Sequence, residues 1–376
     1  MELDLSKIRQ EIDSIDDEML RLFLRRMELC VDVARYKKEK GLPVFQEKRE
    51  EAILQRISDN SPEGLAEGSR LLYTNIMEIS KCLQRRMLSQ PQDIGISAPE
   101  SGDVVIACPG TAGSNTEKAC KKLFGGSELK FFPDFADVFE AVQNGSADYG
   151  VLPIENSTAG EVDQTYTLLA EYDFYICKST QVTIDHCLAA KKGGNITKIY
   201  SHEQALMQCS RFIKNSGAEP VPYKNTALAA EMVANSDEDG IAAICSEDCA
   251  RLYGLEILER RIADNPDNTT RFICVSKKNE VSDGADIISI SLSVPHTAGA
   301  LYRLLTRFYF YGLNLTRIQS APVPKKALNI KTEAFDVIFY LDFEGSVKNP
   351  DVVRLLSNLE KEMKYFRYLG NYNHII

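Results

Sequence analysis

From Ile8 the apolar residues of this chain step by four and three: Ile8, Ile12, Ile15, Met19, Leu22, then Leu29, Val33 and Tyr36. That period lines one stripe of a helix, and Gly41 and Pro43 stop it. Further helices are expected from about Gln46 to Ser58 and from about Pro62 to Leu88, with no strand pattern anywhere in residues 1–90. Residues 91–103 are polar, carry Pro and Gly, and read as a linker. From Val104 the grain changes: the strand VVIAC, a helix from about Glu117, FFPDF, a helix over 135–144 and the strand YGVLPI. Strand–helix–strand order favours a mainly parallel sheet. "FEAVQNGSADYGVLPIEN" and "AAEMVANSDEDGIAAICSE" echo each other as helix, acidic turn, apolar strand and polar tip. The echo predicts two similar α/β lobes with a cleft between them, joined by the extended stretch STQVTIDHCLAAK. From Ile287 the pattern changes once more. ISISLSV, a helix with stripe Leu301, Leu304, Leu305 and Phe308, LNLTRIQS, AFDVIFYLDF, a helix from Pro350 to Met363 and YFRYLG spell βαββαβ, a ferredoxin-like module.

A chain of 376 residues exceeds one ordinary core, in line with these separate regions. The net charge of −10 argues against a nucleic-acid partner, which needs a basic face. No apolar run approaches the ~18 residues of a membrane span, and the charged start MELDLSKIRQEID is unlike a signal peptide. A cytoplasmic location is expected. Ten scattered cysteines form no CxxC, so reduced buried thiols are expected and no metal site.

Two cations interrupt the apolar stripes of the helical region. The 4,3 stepping calls for an apolar residue at position 26, which is Arg26, and Arg49 heads the stripe Arg49, Ile53, Ile57. A charge in an apolar seam is costly unless paired or ligated. These arginines either snorkel or pair with Glu18 or Glu50, or they line a buried anion pocket. Lys37 falls nearly on the face of Arg26, and Ser80 and Gln84, at i and i+4, offer neutral donors. With Arg9, "KREE" (Arg49, Glu50) and "SKCLQ" (Ser80, Gln84), residues 1–90 resemble the all-helical chorismate mutases. One departure is Gln46, where relatives often carry an acid. The resemblance implies rearrangement of chorismate to prephenate, a unimolecular reaction helped by clamping two carboxylates and placing donors at the breaking ether oxygen. Arginines suit the carboxylates; the resemblance puts Lys37 and Gln84 at the ether oxygen. Arg9 and Arg26 stand seventeen residues apart on one helix, roughly 25 Å. If both line one pocket, Arg9 comes from a second chain, which makes a homodimer or higher oligomer.

Residues 104–278 resemble prephenate dehydratases through "GTAGSNTEKA", "VLPIENSTAG", "TIDHCLAA", "YSHEQALMQCSRF", "CSEDCARLYGLEIL" and "NTTRFICVSK". The family's fold is two-lobed and like that of periplasmic binding proteins. The reaction implied is loss of CO2 and hydroxide from prephenate to give phenylpyruvate. By resemblance Thr270 donates or positions the proton for the leaving hydroxide, with Arg271 to polarise it or hold a carboxylate. Asn156, Ser157 and Gln208 match substrate-binding positions, and Ser114 stands at a helix start that can hold an anion. Glu155 reads equally as an acid/base group or a cap. Turn chemistry alone would also explain NTTRF.

Residues 286–376 resemble an ACT regulatory domain, which implies phenylalanine as an allosteric ligand. Gly299, Ala300 and Leu301 stand for the family's Gly-Ala-Leu motif, while Gln319, Ser320, Ala321 and Pro322 replace Glu-Ser-Arg-Pro. The alternative is a dimerisation module without a ligand. The whole chain resembles the bifunctional chorismate mutase/prephenate dehydratase family of phenylalanine biosynthesis, which needs no cofactor. A fusion to prephenate dehydrogenase would need a nucleotide fingerprint, and no GxGxxG occurs. A sensor without catalysis would not need Arg9, Arg26, Lys37, Arg49 and Thr270 together.

Overall fold

The computed structural model describes residues 4–88, 94–98, 102–324, 326 and 337–376. The expected linker therefore lies partly outside the described residues, as do the first residues of AFDVIFYLDF. Two compact units emerge. The first gathers Met1–Ile94, Leu292–Thr316 and Phe343–Phe366; the second gathers Gly95–Ser291, Arg317–Asp342 and Arg367–Ile376.

The first unit opens with α1 (Leu5–Lys40), α2 (Glu47–Asp59) and α3 (Ala66–Leu88). Asp4 caps α1 by accepting from the backbone N–H groups of Ser6 and Lys7. Gly41 ends it in the left-handed region at φ 64°, where a side chain would strain the backbone. α3 starts four residues later than the apolar pattern implied, because Pro62 and Leu65 close a turn first. The stripe of α1 is helical as expected, but most of it faces out. Ile8, Ile12, Ile15, Met19, Leu22, Leu29, Val33 and Tyr36 are all exposed, and only Met27, Ala34 and Lys37 of α1 are buried. α2 buries no residue completely, so Arg49 does not sit in a closed seam within one chain.

The second unit begins β1 (Val105–Pro109), α4 (Asn115–Phe124), β2 (Glu128–Phe132), α5 (Phe135–Asn144), β3 (Tyr149–Asn156), β4 (Gly160–Glu161), α6 (Asp163–Glu171) and β5 (Tyr175–Thr183). A second lobe follows: β6 (Cys187–Ala190), β7 (Lys198–Ser201), α7 (Glu203–Gln208), α8 (Ser210–Ser216), β8 (Glu219–Pro222), α9 (Thr226–Asn235), β9 (Ile241–Cys245), α10 (Glu247–Leu252) and β10 (Glu256–Glu259). The chain returns to the first lobe with β11 (Thr269–Ser276). The internal echo is real: α5–β3 and α9–β9 are equivalent, with β3 parallel to β1 and β9 parallel to β7. The sheets, however, are mixed rather than mainly parallel. In the first, ordered β16-β5-β11-β3-β1-β2 with β16 the short strand His374–Ile375, β11 runs antiparallel to both β3 and β5; in the second, ordered β10-β6-β9-β7-β8, β6 runs antiparallel to β9 and β10. The cause is the double crossing between lobes. β5 passes straight into β6, and β11 re-enters between β5 and β3, so neither follows a βαβ crossover.

The last segment runs β12 (Ile287–Leu292), α11 (Ala300–Phe310), β13 (Leu315–Pro322), β14 (Val337–Glu344), α12 (Pro350–Glu362) and β15 (Phe366–Tyr372), in the expected βαββαβ order. Its sheet is ordered β13-β14-β12-β15. An unforeseen two-residue strand, β16 (His374–Ile375), adds the chain end to the first lobe's sheet, parallel to β5. All ten cysteines are free thiols, nine of them buried.

Candidate active sites

In the helical region the structure brings together four of the candidate residues. Arg26 on α1 donates from Nη1 to Ser80 Oγ on α3 at 2.6 Å. Lys37, 8% exposed, donates to Gln84 Oε1 at 3.3 Å and to the carbonyl of Val44 at 2.6 Å. Ser80 and Gln84 are buried one turn apart, so both face α1. Burial pushes the Lys37 pKa below its ordinary 10.5, opposed in part by the nearby Glu50 carboxylate. Glu50 reaches the group through Lys81, whose Nζ lies 2.7 Å from both Glu50 and the buried Glu78. Lys81 and Glu78 were not expected. Their only signal was the i, i+3 spacing on α3. Among the described residues Arg26 and Arg49 pair with neither Glu18 nor Glu50: Glu18 lies near Arg21, and Glu50 is held by Lys81. Arg9 and Arg49 are exposed and make no hydrogen bond or ion pair to this group among the described residues. α1 is one unbroken helix, so Arg9 lies roughly 25 Å along it from Arg26.

In the two-lobed unit the register of β11 against β3 sets Thr270 opposite Asn156. Directly opposed residues share a sheet face, and Asn156 Nδ2 donates to Thr270 Oγ1 at 2.8 Å. The same amide nitrogen reaches Asn268 Oδ1 at 2.9 Å, and its oxygen accepts from the backbone of Thr158 and Ala159. Ser157 holds the strand mouth by accepting from Thr269 N at 3.0 Å. Asn268 lines a cavity of about 200 Å³ with Thr158, Gln204, Gln208, Asp264 and Asn265. Its Nδ2 is buried without an acceptor among the described residues. Gln208 also contacts His186 Nε2 at 3.1 Å; burial lowers the pKa of that imidazole and favours its neutral form. Sequence reasoning missed Asn268 as a site residue, although it begins the NTTRF stretch.

Arg271 is a correction. Neighbouring residues of a strand point to opposite faces, so its guanidinium turns away from the Thr270 hydroxyl. It donates to Asp342 Oδ2 at 2.7 Å and Tyr372 OH at 2.9 Å, on β14 and β15. Ser289 of β12 closes this network by bonding both Asp342 and Tyr372. Glu155, on the same face, pairs with Arg317 of β13 at 3.3 Å, so it is an ion-pair partner rather than a cap. Arg317 also pairs with Glu161. Ser114 caps α4 by accepting from Glu117 N, and Gly113 packs so tightly that a Cβ there would meet Cys249 Cα at 3.2 Å. No hydrogen bond among the described residues ties Ser114 to Thr270 or Asn156.

In the last segment Gly299 caps α11 at φ 73°, Ala300 is buried and Leu301 half-buried. Gln319, Ser320 and Pro322 lie on β13, an edge strand, with Ser320 and Pro322 exposed. Among the described residues no cluster of three or more metal-ligating side chains occurs, and no helix is long and apolar enough to cross a membrane.

Residues 8–85 match the family model of chorismate mutase type II, and residues 106–280 that of prephenate dehydratase. The chain is 32% identical to the bifunctional chorismate mutase/prephenate dehydratase of Aquifex aeolicus, over 98% of both chains. It is 30% identical to the protein of that name from Escherichia coli strain K12, over 98% of this chain and 96% of the other. Among solved structures it is similar to a prephenate dehydratase in complex with L-Phe from Arthrobacter aurescens: 30% identity, TM-score 0.64, covering 72% of this chain and 90% of that one. It is also similar to GqqA, described as a quorum-quenching acylase: 30% identity, TM-score 0.63, covering 72% and 98%.

Proposed function

This chain belongs to the bifunctional chorismate mutase/prephenate dehydratase family, and we propose which of its residues carry each reaction. The enzyme rearranges chorismate to prephenate, then converts prephenate to phenylpyruvate, in phenylalanine biosynthesis. Residues 1–90 form the mutase part, 104–278 the dehydratase part and 286–376 an ACT-type regulatory part.

In the mutase, Arg26 and Arg49 hold substrate carboxylates. Gln84 spends its oxygen on Lys37, which leaves its amide N–H groups free for the ether oxygen. Lys37 has three donors and uses two, on Val44 and Gln84, so one remains for the same atom. Ser80 fixes the Arg26 fork, and Glu50 is oriented by Lys81. Arg9 serves the pocket of a second chain. Support for the dimer comes from the exposed apolar stripe of α1, since burying one large aliphatic side chain yields roughly 1.5–3 kcal/mol.

In the dehydratase, the observation that carries the reading is the Asn156–Thr270 hydrogen bond. Thr270 Oγ1 accepts there, so its own hydrogen is free to go to the leaving hydroxide. The Asn156 amide stabilises negative charge developing on Oγ1. Asn156, not Arg271, is therefore the polariser. As the carboxylate leaves as CO2, its bonding electrons enter the ring and expel the hydroxyl, which departs as water with the Thr270 proton. Gln208 and Asn268 offer neutral donors to the substrate from the cavity wall; Ser157 steadies the strand mouth through Thr269, and Ser114 is kept as a substrate-binding residue on the family resemblance alone.

Phenylalanine regulates through the ACT-type part, with Gly299, Ala300, Leu301, Gln319, Ser320 and Pro322 as its recognition residues. Arg271 and Arg317 tie strands of that part to β11 and β3, which carry Thr270 and Asn156. A coupled assay with chorismate that follows prephenate and phenylpyruvate separately tests the whole reading. Accumulation of prephenate without phenylpyruvate would refute the dehydratase assignment.

A further inference from the structure

A cavity of about 340 Å³ lies within the first unit, between α3 and the start of α11. On α3 it is bordered by Glu78, Lys81 and Arg85, spaced i, i+3 and i+7, so they share one face. Ser80 and Gln84 each precede one of these residues and look out from the adjoining face, so this cavity is not the catalytic group described above.

The cavity gathers polar groups that the fold leaves unsatisfied. Arg85, 4% exposed, binds Glu362 through Nε and Nη2, the latter at 2.8 Å. Arg307 of α11 lies 2.9 Å from the same carboxylate, at an angle that makes no hydrogen bond. One carboxylate thus faces two guanidinium groups. Arg85 Nη1 and Arg307 Nε are buried without an acceptor among the described residues, and Glu78 Oε2 is buried without a donor. Buried polar groups are nearly always bonded, so donors and an acceptor orphaned around one cavity define the ligand that completes them. The lining carries five cations, among them Arg303 and Lys364, against two acids. Phe45, Val294 and Leu304 supply an apolar wall.

We propose that this cavity is a non-catalytic binding site for a small cyclic hydroxy-dicarboxylate. One carboxylate bonds Arg85 and Arg307, the second lies toward Arg303 and Lys364, a hydroxyl donates to Glu78, and the ring rests on the apolar wall. Ala300 also borders the cavity, which therefore adjoins the start of α11 proposed above for phenylalanine; on the side of Arg85 and Arg307 the excess of cations disfavours a zwitterionic amino acid, whose ammonium would have to enter the same field. Chorismate and prephenate are of the class that fits, so the site senses the compounds the mutase handles. Lys81 links it to catalysis, because its ammonium joins Glu78 of this cavity to Glu50 of the mutase group.

The probe is 5-hydroxyisophthalate, a stable ring with two carboxylates and one hydroxyl, titrated calorimetrically into the full chain. The mutase site also takes dicarboxylates, whose carboxylates Arg26 and Arg49 hold, so the titration is run in the double variant Arg26→Ala, Arg49→Ala as well. Binding should persist in that variant. There it should weaken by about tenfold or more on adding Arg307→Gln, which removes a charged hydrogen-bond partner. It should weaken likewise on adding Val294→Trp, which fills the cavity and alters no charge. Absence of binding in the double variant, or binding indifferent to Val294→Trp, would overturn the proposal. The second variant decides even if Arg307→Gln fails to fold.

Discussion

Thr270 and Arg271 adjoin in sequence yet act in opposite directions. Thr270 faces Asn156, while Arg271 faces Asp342 and Tyr372. Thr270→Val keeps the branched shape and removes the proton, so dehydratase turnover should fall about 10²–10⁴-fold, the range of a lost acid–base group. Mutase turnover in the same preparation should not change; near-normal phenylpyruvate formation would return the stretch to turn chemistry. Thr270 was legible only through the resemblance that NTTRF carries, because turn chemistry alone would also explain those residue types at a strand mouth. The direction of Arg271 was not, because adjacency in sequence does not reveal which face a distant strand will cover. Lys37 supports a prediction with a sign. Burial lowers its pKa, so its ammonium is lost earlier on raising pH than that of a solvated lysine. The mutase kcat/KM, which reports the free enzyme, should fall with rising pH along a limb whose midpoint lies below 10.5. A limb above that value would mean that burial is not the dominant influence on this ammonium.

At the scale of elements, β11 carries Thr270 on one face and an ion pair to β14 on the other. Asp342 is 9% exposed in its side chain. Asp342→Asn would leave the largely enclosed guanidinium of Arg271, 18% exposed, without its counter-charge, and breaking pairs shielded from water costs about 3–5 kcal/mol. Urea unfolding of the variant should show a loss of that order; a loss below about 1 kcal/mol, the surface-pair range, would show the pair to be solvated. The end of α1 read well from the sequence because periodicity and Gly41 are local signals, whereas the start of α3 came four residues late behind the turn at Pro62. The mixed sheets did not read well, because β11 is inserted by a return through the second lobe that no local pattern encodes. β16 was missed for a similar reason: two residues have no periodicity, and only their pairing with β5 makes them a strand.

For the whole molecule, the apolar stripe of α1 was legible as a stripe, but one chain leaves it exposed. That exposure and the distance between Arg9 and Arg26 are the two observations behind the proposed second chain along α1. Ile15→Glu puts a charge in the middle of the stripe and should shift the protein toward monomer in sedimentation velocity, with loss of mutase activity. An unchanged sedimentation coefficient would place the contact elsewhere. The most direct measurement mixes two inactive chains, Arg9→Ala and Lys37→Ala, by denaturation and joint refolding. In a two-fold dimer whose mutase sites each take Arg9 from the partner, every mixed dimer has one intact site and one carrying both lesions. Random pairing then restores about a quarter of wild-type mutase activity. Each variant refolded alone should remain inactive, and both should retain dehydratase activity on supplied prephenate. If the mixture regains no mutase activity while mixed dimers demonstrably form, Arg9 does not cross between chains, and the two-chain account of the mutase site is wrong.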